Sequence, residues 1–168
     1  MTIPYWGLSL IYWLHMLATV VWIGGLAALS LLILPVARRT LDPVAYSAFL
    51  SGLQQRLDPL AWMSLVVLVG TGLFQMSANP NYSGFLSIHN RWAAAILIKH
   101  VVFLGMAALS AYLTWGLLPA LRRVALRQAS GQVVPEGEKL QQRELFLMRI
   151  NLILGVIILG LTAIARAA

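Results

Sequence analysis

The chain has no cysteine among its 168 residues, which excludes disulfides, thiolate metal sites and iron–sulfur clusters. Charge is scarce too: Asp, Glu, Lys and Arg make up 10% of the sequence, against about 25% in a soluble domain. Acidic residues number five against twelve basic ones. No Ser/His/Asp triad, paired carboxylate, phosphate-binding loop or dinucleotide fingerprint is present, so hydrolytic and nucleotide-dependent chemistry have no support. The opening residues Met1 to Gly7 lack a basic region, and no small-residue cleavage site follows the first apolar stretch, so no removable signal peptide is read. A low-complexity tract, a separate soluble domain and a short internal repeat are not expected either.

Apolar residues are what the chain has in plenty. They make up 60% of it, with a mean hydropathy of +0.82. Four stretches, Leu8–Val36, Leu60–Met76, Trp92–Leu118 and Leu145–Ile164, are each long enough to cross a hydrocarbon core about 30 Å thick. They predict an all-α fold: one integral membrane domain over residues 1–168, with four spans in an up-down-up-down four-helix bundle.

The basic residues are confined to two connections. Residues 37–59 carry Arg38, Arg39 and Arg56; residues 119–144 carry Arg122, Arg123, Arg127, Lys139 and Arg143. By the positive-inside rule both loops lie in the cytoplasm and both termini outside, as in a bacterial-type inner membrane. This distribution explains the pI near 10.6 without nucleic acid as a partner. Tyr5, Trp6 and Trp92 fall at the outer boundary as interfacial anchors. Arg149, at the start of the fourth span, is expected to meet lipid phosphate or to pair with Glu144 or Asp58.

His15 and His100 are the leading functional candidates. Counted from Gly7 and Trp92, each lies eight residues inside an apolar stretch, about 12 Å below one surface. Ionisable groups at such depth mark function by default. On diagonal helices they are expected to flank one planar group, haem iron held between two imidazoles. His15 shares its stripe with Ala18, Thr19, Trp22 and Gly25, and His100 aligns with Ala93, Ala107, Ala108 and Ala111. Lys99, snorkelling outward, and Arg91 are expected to meet the haem propionates. The blander alternative is that the histidines only bond helices together. A copper reading uses the same region, with His89, His15, Met76 and His100 as an outer-side intake path, since thioether and imidazole suit copper.

The residues also resemble a known family. Trp13-Leu14-His15-Met16-Leu17-Ala18, running on to Val21-Trp22-Ile23-Gly24-Gly25-Leu26, is similar to the opening span of the CopD copper-resistance membrane proteins and of the HemJ-type protoporphyrinogen oxidases. Arg56 followed by the apolar run that closes on Gly70-Thr71-Gly72 resembles the second CopD helix. Trp92 with Lys99 seven residues on is similar to the third helix of both. The resemblance implies copper handling on the CopD side. On the HemJ side it implies haem b, with His15 and Lys99 as the important positions. A further third-helix histidine of the HemJ pattern is replaced here by residues such as Ala108 and Ser110.

Together these readings predict a haem-b protein passing electrons between a membrane quinol and an outer acceptor, as a homo-oligomer or beside other redox subunits. Copper import or resistance is the alternative, and a non-catalytic accessory subunit is a third.

Overall fold

The computed structural model describes residues 5–86, 88–132 and 134–167. Four long helical rods form it: α1 (Tyr5–Thr40), α2 (Pro43–Ser77), α3 (Arg91–Ala129) and α4 (Glu136–Ala167). No strand occurs among the described residues. All four rods are long and apolar enough to cross a membrane. At the α-helical rise they measure about 48–58 Å, well beyond the hydrocarbon core of about 30 Å, so each projects past it.

The expected connection over residues 37–59 is almost entirely helical. Only Leu41 and Asp42 interrupt it. Asp42 starts α2: its carboxylate accepts from the amides of Val44 and Ala45 at 3.0 and 2.9 Å, and Pro43 occupies the first turn, where a missing N–H costs nothing. The helix then runs through Pro59 into the apolar stretch. Asn90 starts α3 in the same way, accepting from the Ala93 amide at 2.7 Å. Its amide also donates to the Asn81 carbonyl at 3.3 Å, which ties the cap to the preceding loop.

α1 packs along α2 and α3 along α4, with further contacts between α1 and α4 and between α2 and α3. The up-down-up-down bundle is thus closed, and α1 and α3 face each other diagonally across its axis. Trp22 and Phe103 meet there edge to face at 5.7 Å, in a cluster with Met106 and Ile158. The N- and C-terminal ends lie together, since the Arg166 guanidinium sits 4.8 Å over the Tyr12 ring. At the opposite, basic-loop end a second core gathers Leu34, Tyr46, Leu50, Leu117, Leu121 and Met148. Val20, Leu32, Val66 and Leu104 are exposed on the outside, as residues bathed in lipid should be.

A long internal repeat is present, of a kind that the sequence reading, which excluded only a short one, did not address. Leu34-Pro35-Val36-Ala37-Arg38-Arg39 recurs as Leu118-Pro119-Ala120-Leu121-Arg122-Arg123, an offset of 84 residues from Pro35 to Pro119. The backbone repeats with it: α1 widens into a π-helical segment over Ala28–Ile33 and α3 over Tyr112–Leu117, at the same offset. Each segment precedes a proline, which lacks an N–H and would clash with the carbonyl four residues back. A local π turn accommodates both. Leu53-Gln54-Gln55-Arg56 in α2 returns as Leu140-Gln141-Gln142-Arg143 in α4, at an offset of 87 residues. The bundle is therefore two similar helical hairpins side by side.

Glu144 is fully buried at the basic-loop end. The Tyr46 hydroxyl donates to its Oε2 at 3.3 Å, and its Oε1 has no partner. Arg149, one of the expected mates, is exposed instead. Five residues separate it from Glu144, so the two point to different sides of α4.

Candidate functional site

The buried residues of α1 at the terminus end are Ala18 and Trp22, and His15 extends the same stripe one turn outward. The half-buried His15 ring reaches the neighbouring α2, with Nδ1 2.7 Å from Thr71 Oγ1. The Thr71 hydroxyl already donates to the Val67 carbonyl, so in this bond it must accept. His15 therefore carries its proton on Nδ1, and Nε2 keeps a free lone pair. A methyl on Gly72 would lie 3.5 Å from His15 Cε1; the glycine leaves room for the ring.

On α3 the buried stripe is Trp92, Ala95 and Met106, and Lys99 lies at its centre. The 84-residue offset gives the same answer independently: it carries Trp22 onto Met106 and His15 onto Lys99. The residue facing the bundle axis at the level of His15 is thus the lysine. His100, one residue on, is turned by about 100°. Its Nδ1 donates to the Ile96 carbonyl of its own helix at 2.7 Å, and its ring meets Phe85 edge to face at 5.2 Å. Among the described residues no hydrogen bond or ring contact joins the two imidazoles. They share one tautomer, however, since a carbonyl can only accept and His100 Nε2 is also left with a lone pair.

The other candidates divide between surface and core. Arg91 and His89 are exposed. Met76 is buried against Trp92, Ala93, Ala95 and Ala165. The cation in electrostatic range of Lys99 is Arg166, from the far end of α4, and Lys99 in turn is in range of His15. His15, Lys99 and Arg166 thus form one basic group drawn from three helices. All five acidic residues, Asp42, Asp58, Glu136, Glu138 and Glu144, belong to the basic-loop half. Asp58 lies thirteen residues from Thr71 along α2, about 20 Å away.

Sequence reasoning missed Thr71 and Arg166 as members of this group. Thr71 enters the sequence reading only within the Gly70-Thr71-Gly72 resemblance, and Arg166 does not enter it as a candidate. A polar side chain within an apolar run, opposite a histidine, was the available signal for the first. No cluster of three or more His, Cys, Asp or Glu side chains that could hold a metal occurs among the described residues. The metal donors on offer are therefore single imidazoles and thioethers.

A model of the family described as copper resistance protein D matches residues 51–165, more than half of the chain. The match takes in most of α2, all of α3 and most of α4, and with them Met76, His89, Arg91, Lys99 and His100; His15 precedes it and Arg166 follows it. No curated protein and no solved structure matches the chain. The family match and the four membrane-spanning helices together make this chain a multi-pass membrane protein of the copper resistance protein D family.

Proposed function

We propose that the chain handles copper within the bilayer, as an import or resistance component. It accepts the ion from outside a bacterial-type inner membrane, with both termini and the outer loop on that side. His15 Nε2 is the principal donor, and His100, His89 and Met76 serve along the intake path. The observation that carries this reading is the shared tautomer: both imidazoles have Nδ1–H committed to an oxygen and Nε2 open. Metal-binding histidines are held in this way, with a second hydrogen bond fixing the ring and its lone pair. A cuprous ion is satisfied by few soft or imidazole donors, which suits a site without carboxylates or thiolates. Lys99 and Arg166 oppose a cation close to His15. They keep affinity modest, so that an ion that binds can also leave.

The test is a cuprous-ion titration of the reduced, detergent-solubilised chain against a coloured chelator. The expected result is one ion per chain, with affinity falling about tenfold or more in His15→Ala and less in His100→Ala. Equal affinity in wild type and His15→Ala would overturn the reading.

One observation favours haem b as a second reading. Lys99 lies in electrostatic range of an imidazole with an open Nε2, Arg166 lies in range of Lys99 and the carboxylates belong to the other end, which is the charge pattern that haem propionates require. Of the residues first expected in this role, Lys99 fits it and Arg166 takes the place of Arg91. His100, turned toward Phe85, fits poorly as the opposite ligand. A Soret band in the purified chain, abolished by His15→Ala, would support haem; a colourless preparation that takes up copper excludes it.

A further inference from the structure

A cavity of about 130 Å³ opens in the basic-loop half of the bundle, with walls from all four helices. It lies deeper than the site above: the lining residue of α1 nearest His15 is Val21, six residues away, about 9 Å along the helix. Its lining is mainly apolar and includes the rings of Trp22 and Trp62. Four polar side chains break that lining, Gln54, Ser110, Thr114 and Asn151, together with one carboxylate, Asp58.

Two of these polar groups lack partners. Asn151 is fully buried; its Nδ2 donates to Ser110 Oγ at 2.8 Å, and its Oδ1 has no partner. Turning the amide over would only exchange which of its atoms is left over. Gln54 Nε2 is also buried without a partner. Leaving a buried polar atom unpaired is unfavourable, and two residues on the lining of one cavity, one with a spare acceptor and one with a spare donor, call for a molecule offering the converse pair.

The walls narrow its identity. No Lys or Arg lines the cavity and Asp58 does, so an anionic head such as a phosphate or fatty carboxylate is disfavoured. The volume is close to that of an engineered cavity of about 150 Å³ that accommodates one benzene ring. Val21 and Leu60 on its lining are exposed on the apolar outside of the bundle, so a tail can run into lipid. We propose that this cavity binds the ring of a membrane-soluble quinone or hydroquinone. Gln54 Nε2 donates to a ring oxygen of either form, and Asn151 Oδ1 accepts from a ring hydroxyl of the hydroquinone form. The ring lies between the indoles and the alkyl tail leads into the bilayer.

The test uses the full chain in detergent with a decyl-substituted benzoquinone, read by quenching of tryptophan fluorescence. Decylbenzene, which lacks the oxygens, competes with it as the apolar control. Gly25→Leu blocks the space, since a Cβ there meets nothing within 4 Å; Gln54→Leu removes the donor. Circular dichroism confirms that each variant keeps its helices. The expected result is saturable quenching at one quinone per chain, at least tenfold weaker in either variant, with decylbenzene competing at least tenfold more weakly than the quinone. Non-saturable quenching, wild-type binding in Gly25→Leu, or equal competition by decylbenzene would each overturn the proposal. If both variants fail to fold, the competition on the wild-type chain decides alone.

Discussion

At the scale of single residues, a hydroxyl in α2 sets how His15 can act. Thr71 accepts the Nδ1 proton only because its own hydrogen is committed to Val67. Thr71→Val removes that acceptor, frees the ring to change tautomer and rotamer, and is expected to weaken cuprous binding about 10–100-fold, with Thr71→Ser retaining most of it. Chelator competition measures both. At the other end, Tyr46→Phe leaves both oxygens of the buried Glu144 without a hydrogen-bond partner. Its expected cost is about 1–3 kcal/mol in a reversible detergent-unfolding titration, without a change in copper affinity, since the two sites share no contact. His15 stands out in the sequence by its depth within an apolar stretch. His100 is placed at the same level by counting from an apolar boundary, and moving that boundary by one residue shifts the count onto Lys99. On a helix one residue is about 100° of rotation, enough to exchange the side chain facing the axis for its neighbour. The repeat offset counts from paired prolines instead, and it selects Lys99.

At the scale of elements, the four apolar stretches each belong to one of the four membrane-length helices, and α2 begins seventeen residues before its stretch. Gln54, Gln55, Arg56, Asp58 and Pro59 hide the helical continuity of residues 43–77, because their polarity suggests a loop and proline suggests a break. The structure keeps the helix because one proline removes one hydrogen bond, while the flanking turns remain packed on α3 and the core at the basic-loop end. The repeat escaped notice for a related reason. Only short Leu-Pro-x-x-Arg-Arg and Leu-Gln-Gln-Arg signatures are preserved in it, and the apolar residues between exchange freely in lipid. The loop before α3 depends on Asn90, which caps the helix and holds Asn81. Asn90→Ala is expected to cost about 1 kcal/mol and Asn90→Asp to restore the cap. Because that loop carries Phe85 against His100, and an aspartate cannot donate to the Asn81 carbonyl as the Asn90 amide does, both variants should also disturb the His100 ring, which is visible in its nitrogen-15 NMR signals.

At the scale of the whole molecule, charge is partitioned between the two ends. The carboxylates and most arginines gather at the basic-loop end, while Lys99, Arg166 and all three histidines belong to the terminus end. Such polarity orients a membrane protein and gives its two ends different chemistry. The absence of cysteine makes the orientation simple to measure. Ala78→Cys in the loop before α3 should react with an impermeant maleimide in intact cells, and Gln132→Cys in the basic loop should react only after lysis. The reverse pattern would put the histidines on the cytoplasmic side and turn import into export.

The central claim is that copper is bound by the Nε2 of His15. X-ray absorption of the cuprous-loaded chain at the copper edge tests it most directly. The account predicts imidazole scattering around the metal in the wild type that is lost or halved in His15→Ala. A copper environment without imidazole, or one unchanged by that substitution, would contradict it.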